Sequence, residues 1–270
     1  MIGQKELIQK IKAQLKEGTL PSFIIFVGAR GCGKKLLVSE LFGECVNIEP
    51  KVDAVRDMIT MAIKMANRTF LIADADGMSL AAQNAMLKVV EECKNNNRFI
   101  LTIEDVNNVL PTIQSRGTVF MFKPYARPEL LEYLSMAKWQ EDDKYIGADV
   151  CENVGELQTL AMYGVTKFYD YVVKVYKNIA SVSGANAFKI GDAIDFKGDA
   201  EKYDLKLFLR GFRRVCLEKV VLQEYELYDK EQLINAVIIT TKYISQLRVK
   251  GINKQSLFDA WLLDIRKEWM

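Results

Sequence analysis

Phe23-Ile24-Ile25-Phe26-Val27-Gly28-Ala29-Arg30-Gly31-Cys32-Gly33-Lys34-Lys35-Leu36-Leu37 decides how this chain is read. Its first five residues, all apolar and rich in β-branched and aromatic types, predict a parallel strand buried on both faces. After the glycine-rich turn, Leu36, Leu37, Leu41 and Phe42 continue at helical spacing. Strand, glycine loop, helix is the setting in which Gly-x-x-x-x-Gly-Lys cradles phosphate. Backbone N–H groups point inward, the helix N-terminus favours an anion, and the lysine reaches the terminal phosphates. The pattern fails at its last position. Where a Ser or Thr hydroxyl would complete a magnesium shell stands Lys35, a cation with no lone pair for a metal. Phosphate contacts are expected at Gly28, Gly31, Gly33, Lys34 and Lys35. Whether nucleotide is held stays open at this level, because the charges of Arg30 and Lys35 either offset the missing metal or are solvated surface.

Outward from this loop, Leu7, Ile8, Ile11 and Leu15 form an amphipathic helix ending near Gly18. Downstream, Thr69-Phe70-Leu71-Ile72-Ala73, Arg98 to Ile103, and Thr118 to Phe122 read as further strands, with a helix from about Leu80 to Cys93. Strands alternating with helices imply right-handed crossovers and a parallel sheet covered on both faces. After Pro124 only helical patterns remain. The expected plan is an α/β P-loop domain over 1–123, a small helical lid over 124–163 and an all-helical collar over 164–270. The stretch from about Ser181 to Gly198 reads as an irregular connection, while Leu205 to Leu222 and Lys230 to Met270 are helical again.

A second element should supply an acidic metal partner at the end of a neighbouring strand. The residue ending the hydrophobic strand is normally an Asp on the magnesium shell, followed by a Glu that orients the attacking water. Those places read Ala73 and Asp74. Both magnesium-binding elements therefore depart in the same direction, and hydrolysis at this chain's own site is not expected.

Composition narrows the classes further. The 37 basic and 35 acidic residues nearly cancel, so no global field recruits nucleic acid or an acidic membrane. Histidine is absent, which removes Ser-His and Cys-His hydrolases. Cys32, Cys45, Cys93, Cys151 and Cys216 are far apart and never in Cys-x-x-Cys spacing, the pattern of reduced core thiols rather than disulfides or zinc. No apolar run approaches the ~18–20 residues that span a bilayer, and the expected location is cytoplasmic.

Asp74-Ala75-Asp76-Gly77-Met78-Ser79, then Ala82-Gln83-Asn84-Ala85-Met86-Leu87-Lys88 with Glu91-Glu92, and then Leu110-Pro111-Thr112-Ile113-Gln114-Ser115-Arg116 follow one another in fixed order. This succession resembles the DNA polymerase clamp-loader branch of the AAA+ ATPases, as does the opening Ile2-Gly3-Gln4-Lys5-Glu6-Leu7. Within the family the chain is most similar to the delta-prime type, which keeps the fold and a Ser-Arg-Cys motif while often losing its own ATPase parts. The resemblance implies a subunit that assembles with other clamp-loader AAA+ subunits to place a sliding clamp on primed DNA, meeting the primer-template mainly through the complex.

It also implies that Arg116 reaches across a subunit boundary to a neighbour's ATP. Thr102 falls where the family's first sensor lies, although a β-forming role explains it equally well. The implied cofactor is ATP or ADP, held without a complete magnesium shell; no zinc is expected, since the family's cysteine module has no counterpart here. Two further departures are Gly117 in place of the motif's cysteine, expected to loosen the turn, and Asn153-Val154-Gly155-Glu156-Leu157, where an acid follows the glycine instead of the lid's sensor arginine. Alternatives are a catalytically active clamp-loader-type ATPase with a variant magnesium site, and a stand-alone DNA-binding or recombination adaptor.

Arg116 also reads as a turn arginine paired to a nearby carboxylate. Arg210, Arg213 and Arg214, with Lys206 and Lys219, read as a solvated helix face rather than a DNA contact. Phe168, Tyr169, Tyr171 and Tyr176 read as core. Trp261, Leu262, Leu263 and Ile265 read as an interface, because so apolar a helix needs a partner.

Overall fold

A computed structural model describes residues 3–92, 95–182, 184–199, 201–247, 249 and 251–270. Ile2 and Cys93, used in the sequence reading, lie outside the described residues. The chain divides into two compact units, Met1–Glu129 with Asn153–Gly155, and Leu130–Glu152 with Glu156–Met270.

The first unit is built on a five-stranded sheet in the order β2-β3-β4-β1-β5. Its strands are β1 (Phe23–Val27), β2 (Val46–Ile48), β3 (Thr69–Ile72), β4 (Arg98–Ile103) and β5 (Thr118–Met121). Every pairing is parallel, with β1 central between β4 and β5. All five residues of β1 are buried, as a continuous apolar run in a doubly covered sheet must be. The covering helices are α1 (Lys5–Glu17), α2 (Lys34–Phe42), α3 (Val52–Lys64), α4 (Leu80–Glu92) and the single turn α5 (Pro111–Gln114). Gly18 ends α1 in the left-handed region at φ 70°, the cap that a glycine supplies without strain. The P-loop α/β fold expected from the opening stretch is the one observed.

In this unit β2 and α3 add to the elements read from the sequence. β2 is three residues long at the sheet edge, too short to show a period. α3 does carry a signal, since Val55, Met58 and Ala62 recur at helical steps and are buried.

The second unit is helical: α6 (Arg127–Met136, shared at its start with the first unit), α7 (Glu141–Val150), α8 (Val154–Tyr163, likewise shared), α9 (Val165–Asn178), α10 (Gly184–Ala187), α11 (Leu205–Leu222), α12 (Lys230–Gln246) and α13 (Lys254–Trp269). A two-residue parallel pair, β6 (Ile194–Asp195) with β7 (Tyr203–Asp204), ties down the irregular connection. Asp229 and Gln232 close a capping box at the start of α12.

Its core is aromatic. Trp261 meets Phe208, Phe212 and Phe258 at ring separations of 5.6, 5.0 and 5.6 Å, and Trp269 stacks on Tyr228 at 3.8 Å. Phe168 and Tyr176 are buried in it as expected. The interface reading of α13 is corrected: Trp261, Leu262 and Ile265 are fully buried within the unit, and of the four only Leu263 faces outward. The described cysteines are free thiols, with Cys32, Cys151 and Cys216 buried.

The arginine face is corrected as well. Arg210 is 1 % exposed. Its Nη1 donates to Glu156 Oε2 at 2.7 Å, and its Nη2 sits against Glu152 as a charge pair. Lys206 reaches the other Glu156 oxygen at 3.1 Å. Burial pushes the Glu156 carboxyl up, but Arg210 and Lys206, with the Glu152 N–H, outweigh it and hold Glu156 below the ordinary carboxylate range. Arg214 is spent on Asp149, Glu218 and Tyr169. The acid that stands in place of a sensor arginine is thus the counter-ion of a buried arginine on α11.

Candidate functional site

The glycine loop leaves the end of β1 and enters α2 in the first unit. Gly31 and Gly33 have φ of 81° and 96°, left-handed values that turn successive N–H groups toward one side. Gly28 packs so closely on Phe122 that an added Cβ would lie 2.6 Å from its side chain. Tyr125 donates its hydroxyl to Cys32 O at 3.1 Å, fixing the loop from behind. Lys34 is buried, and its ammonium donates to the Gly28 and Ala29 carbonyls at 2.5 and 3.0 Å. Arg30 is exposed.

Gly31 also meets the backbone of Asn153–Gly155. The Gly155 N–H donates to Gly31 O at 3.1 Å, and a Cβ on Gly31 would lie 2.6 Å from Gly155 Cα. Gly31→Ala combines this clash with a left-handed φ and is expected to cost about 1–3 kcal/mol, read as a lower midpoint in urea unfolding. A wild-type midpoint would show the contact to be loose.

Across from the loop, Asp74 follows β3 with φ 53° and ψ 45°, and its N–H donates to Thr102 Oγ1 at 3.0 Å. Thr102 is fully buried on β4, so its hydroxyl shapes the Asp74 turn. The two substituted positions meet: Lys35 Nζ lies 2.6 Å from Asp74 Oδ2, although they are 39 residues apart. Gly28, Gly31, Gly33, Lys34, Lys35, Asp74 and Thr102 therefore surround one end of the sheet. Arg116 engages a different set of residues.

Arg116 stands on the turn after α5. Its own N–H and that of Gly117 both reach Ile113 O, at 3.2 and 3.0 Å. A Cβ on Gly117 would lie 2.6 Å from the buried Ile25 side chain, so this glycine makes the turn tight, not loose. The Arg116 Nε donates to Glu91 Oε1 at 2.9 Å, Nη2 lies 2.7 Å from the same oxygen, and Nη1 donates to Thr112 O at 3.1 Å.

A polar scaffold that sequence reasoning missed holds this turn. Buried Gln83 donates to Met78 O and Asn108 O and accepts from the Leu110 N–H. Asp76 accepts from the Glu104 and Asp105 N–H groups and from the Asn108 amide. Gln114 closes the network onto Val106 O and Val109 O. The signal was present: Gln83 is a polar residue on the apolar side of α4.

The sequence profile of the family described as "DNA polymerase III, delta subunit" matches residues 44–126, from β2 to the start of α6. A replication factor C small subunit from Methanoculleus marisnigri is 29 % identical over 151 residues, covering 49 % of this chain and 47 % of that protein. A second, from Picrophilus torridus, is 27 % identical and covers 70 % of each chain. Replication factor C subunit 3 of Schizosaccharomyces pombe is 29 % identical over 48 % of this chain and 43 % of its own length. The chain thus spans about half the length of most of these relatives. The Holliday junction branch migration motor RuvB of Thermotoga maritima aligns over 96 % of this chain and 88 % of its own at a TM-score of 0.51 and 15 % identity, a likeness of fold. Over these stretches the chain is similar to the DNA polymerase III delta subunit family and to replication factor C subunits, on the P-loop architecture observed here.

Proposed function

We propose that the chain is a clamp-loader subunit of delta-prime type, a stator that completes a ring of AAA+ subunits and helps place a sliding clamp on primed DNA. It donates Arg116 to a neighbour's ATP and does not hydrolyse nucleotide at its own P-loop. In this reading the helical stretches 124–163 and 164–270 serve as lid and collar, and primer-template DNA is met mainly through the complex.

The observation that carries the reading is the Lys35–Asp74 ion pair, taken together with an exposed Arg116 on a separate turn. Lys35, at the position of the missing Ser or Thr, pairs its ammonium with Asp74, the carboxylate at the position that would orient an attacking water. Ala73 brings no ligand atom. The residues present do not fit a magnesium ion, and no hydrolytic step is routed through one. A phosphate group fits better, since the loop glycines and Lys34 remain; ATP or ADP would meet the loop N–H groups once Lys34 turns from the carbonyls of its own loop.

Purified chain incubated alone with Mg-ATP is expected to release no phosphate above the uncatalysed background. Steady turnover abolished by Lys34→Ala would overturn the stator reading in favour of an active ATPase. For the assembly itself, purification from the native host should bring down a sliding clamp and at least one further AAA+ subunit; their absence would favour a stand-alone adaptor.

A further inference from the structure

We propose that Glu91 is a positioning residue for Arg116: it grips one edge of the guanidinium so that the remaining N–H groups are presented to an anionic group on a neighbouring subunit. The inference rests on the trans role of Arg116 proposed above. Glu91 lies in the last turn of α4, a turn that carries no basic residue among the described residues to offset the negative end of the helix dipole. A carboxylate there needs a cation from elsewhere in the fold, and Arg116, 25 residues on, supplies it.

The geometry is directional. A guanidinium has five N–H donors in a planar fork. Glu91 Oε1 lies against Nε and Nη2, and Thr112 O takes one N–H of Nη1. Each terminal nitrogen therefore keeps an N–H for a second acceptor, the pair of donors that suits bidentate phosphate recognition. Arg116 is 39 % and Glu91 53 % exposed, so water already screens the pair. Such a bond orients the arginine yet is weak enough to adjust when phosphate arrives. Thr112 O, which accepts from the guanidinium, and Ile113 O, which accepts from the Arg116 backbone N–H, both belong to the turn held by Gln83 and Asp76, so the arginine stands on one braced scaffold.

The test uses the chain assembled with its AAA+ partner subunits, clamp and primer-template DNA. Glu91→Ala is expected to lower the DNA-stimulated kcat at the adjoining site about two- to fivefold, the worth of an exposed ion pair, with KM for ATP unchanged. Glu91→Asp should recover part of the loss. In an Arg116→Ala background, Glu91→Ala should have no further effect, because the residue acts only through the arginine. A Glu91→Ala complex as fast as wild type or faster would overturn the proposal, as would an equal loss in the Arg116→Ala background, the mark of a merely structural role in α4. If Arg116→Ala itself leaves hydrolysis unchanged, the trans role fails and this inference fails with it.

Discussion

Arg116→Ala is expected to slow ATP hydrolysis at the adjoining subunit's site by about 10³-fold, the lower end of what an arginine finger supplies to phosphoryl transfer. The guanidinium has the properties this requires. It is exposed, its turn is held by backbone bonds to Ile113, and its partner Glu91 binds it through an exposed pair that adds little stability. Nothing in the fold depends on Arg116 strongly, so the variant should fold and assemble. The measurement is single-turnover hydrolysis in a complex whose other sites are disabled, so that only the site facing Arg116 reports. Arg116→Lys should recover little, because an ammonium cannot offer the planar fork. Unchanged turnover in the alanine variant would remove the trans role and leave Arg116 as the cation that caps α4.

The second large effect concerns stability. Glu156→Ala is expected to destabilise the helical unit by about 3–5 kcal/mol, because it leaves the Arg210 guanidinium buried without its hydrogen-bonded carboxylate. Glu152 remains as a charge pair, and so the loss should sit toward the lower value. Replacing Arg210 by Met and Glu156 by Leu together should recover much of the loss, since removing both charges leaves none uncompensated. Urea unfolding of the three variants checks this; a Glu156→Ala change below about 1 kcal/mol, the range of exposed pairs, would show the network to be solvated.

The same network sets a pH dependence. Arg210 and Lys206 hold the folded Glu156 carboxyl below its ordinary value of 4.5. Its contribution is therefore fully present above that value and lost as pH falls through the lower folded one. The melting temperature should drop on acidification below about pH 4.5, and Glu156→Ala should flatten that part of the profile.

Much of the first unit was legible because its signals are local. A run of β-branched residues reads as a buried strand wherever it pairs, and glycine at Gly31 or Gly33 reads as a left-handed turn because no other residue adopts φ above +80° at so little cost. The signature around Gln83 and Arg116 was visible as a resemblance, while its physical meaning was not. Gln83 is a bracket for the arginine turn, which requires seeing the Leu110 N–H and Asn108 carbonyl brought to one amide.

The helical half was less legible. Apolar periodicity located α11 and gave α12 and α13 as a single helical stretch, yet it assigned Arg210 to solvent and Trp261 to a partner. A helical period says that a face is apolar; it does not say whether the covering surface comes from the same chain.

By itself, then, the sequence determined the P-loop strand-turn-helix, the parallel alternation around it, the helical remainder and the absence of a Ser or Thr after Lys34. These follow from backbone sterics and from side-chain chemistry within a few residues. Only the tertiary structure decided that Lys35 closes on Asp74, that Glu91 grips Arg116 and that Glu156 serves Arg210. Each pair joins elements far apart in the chain. An ion pair across such a separation depends on where the intervening elements pack, and no local pattern of charge carries that information.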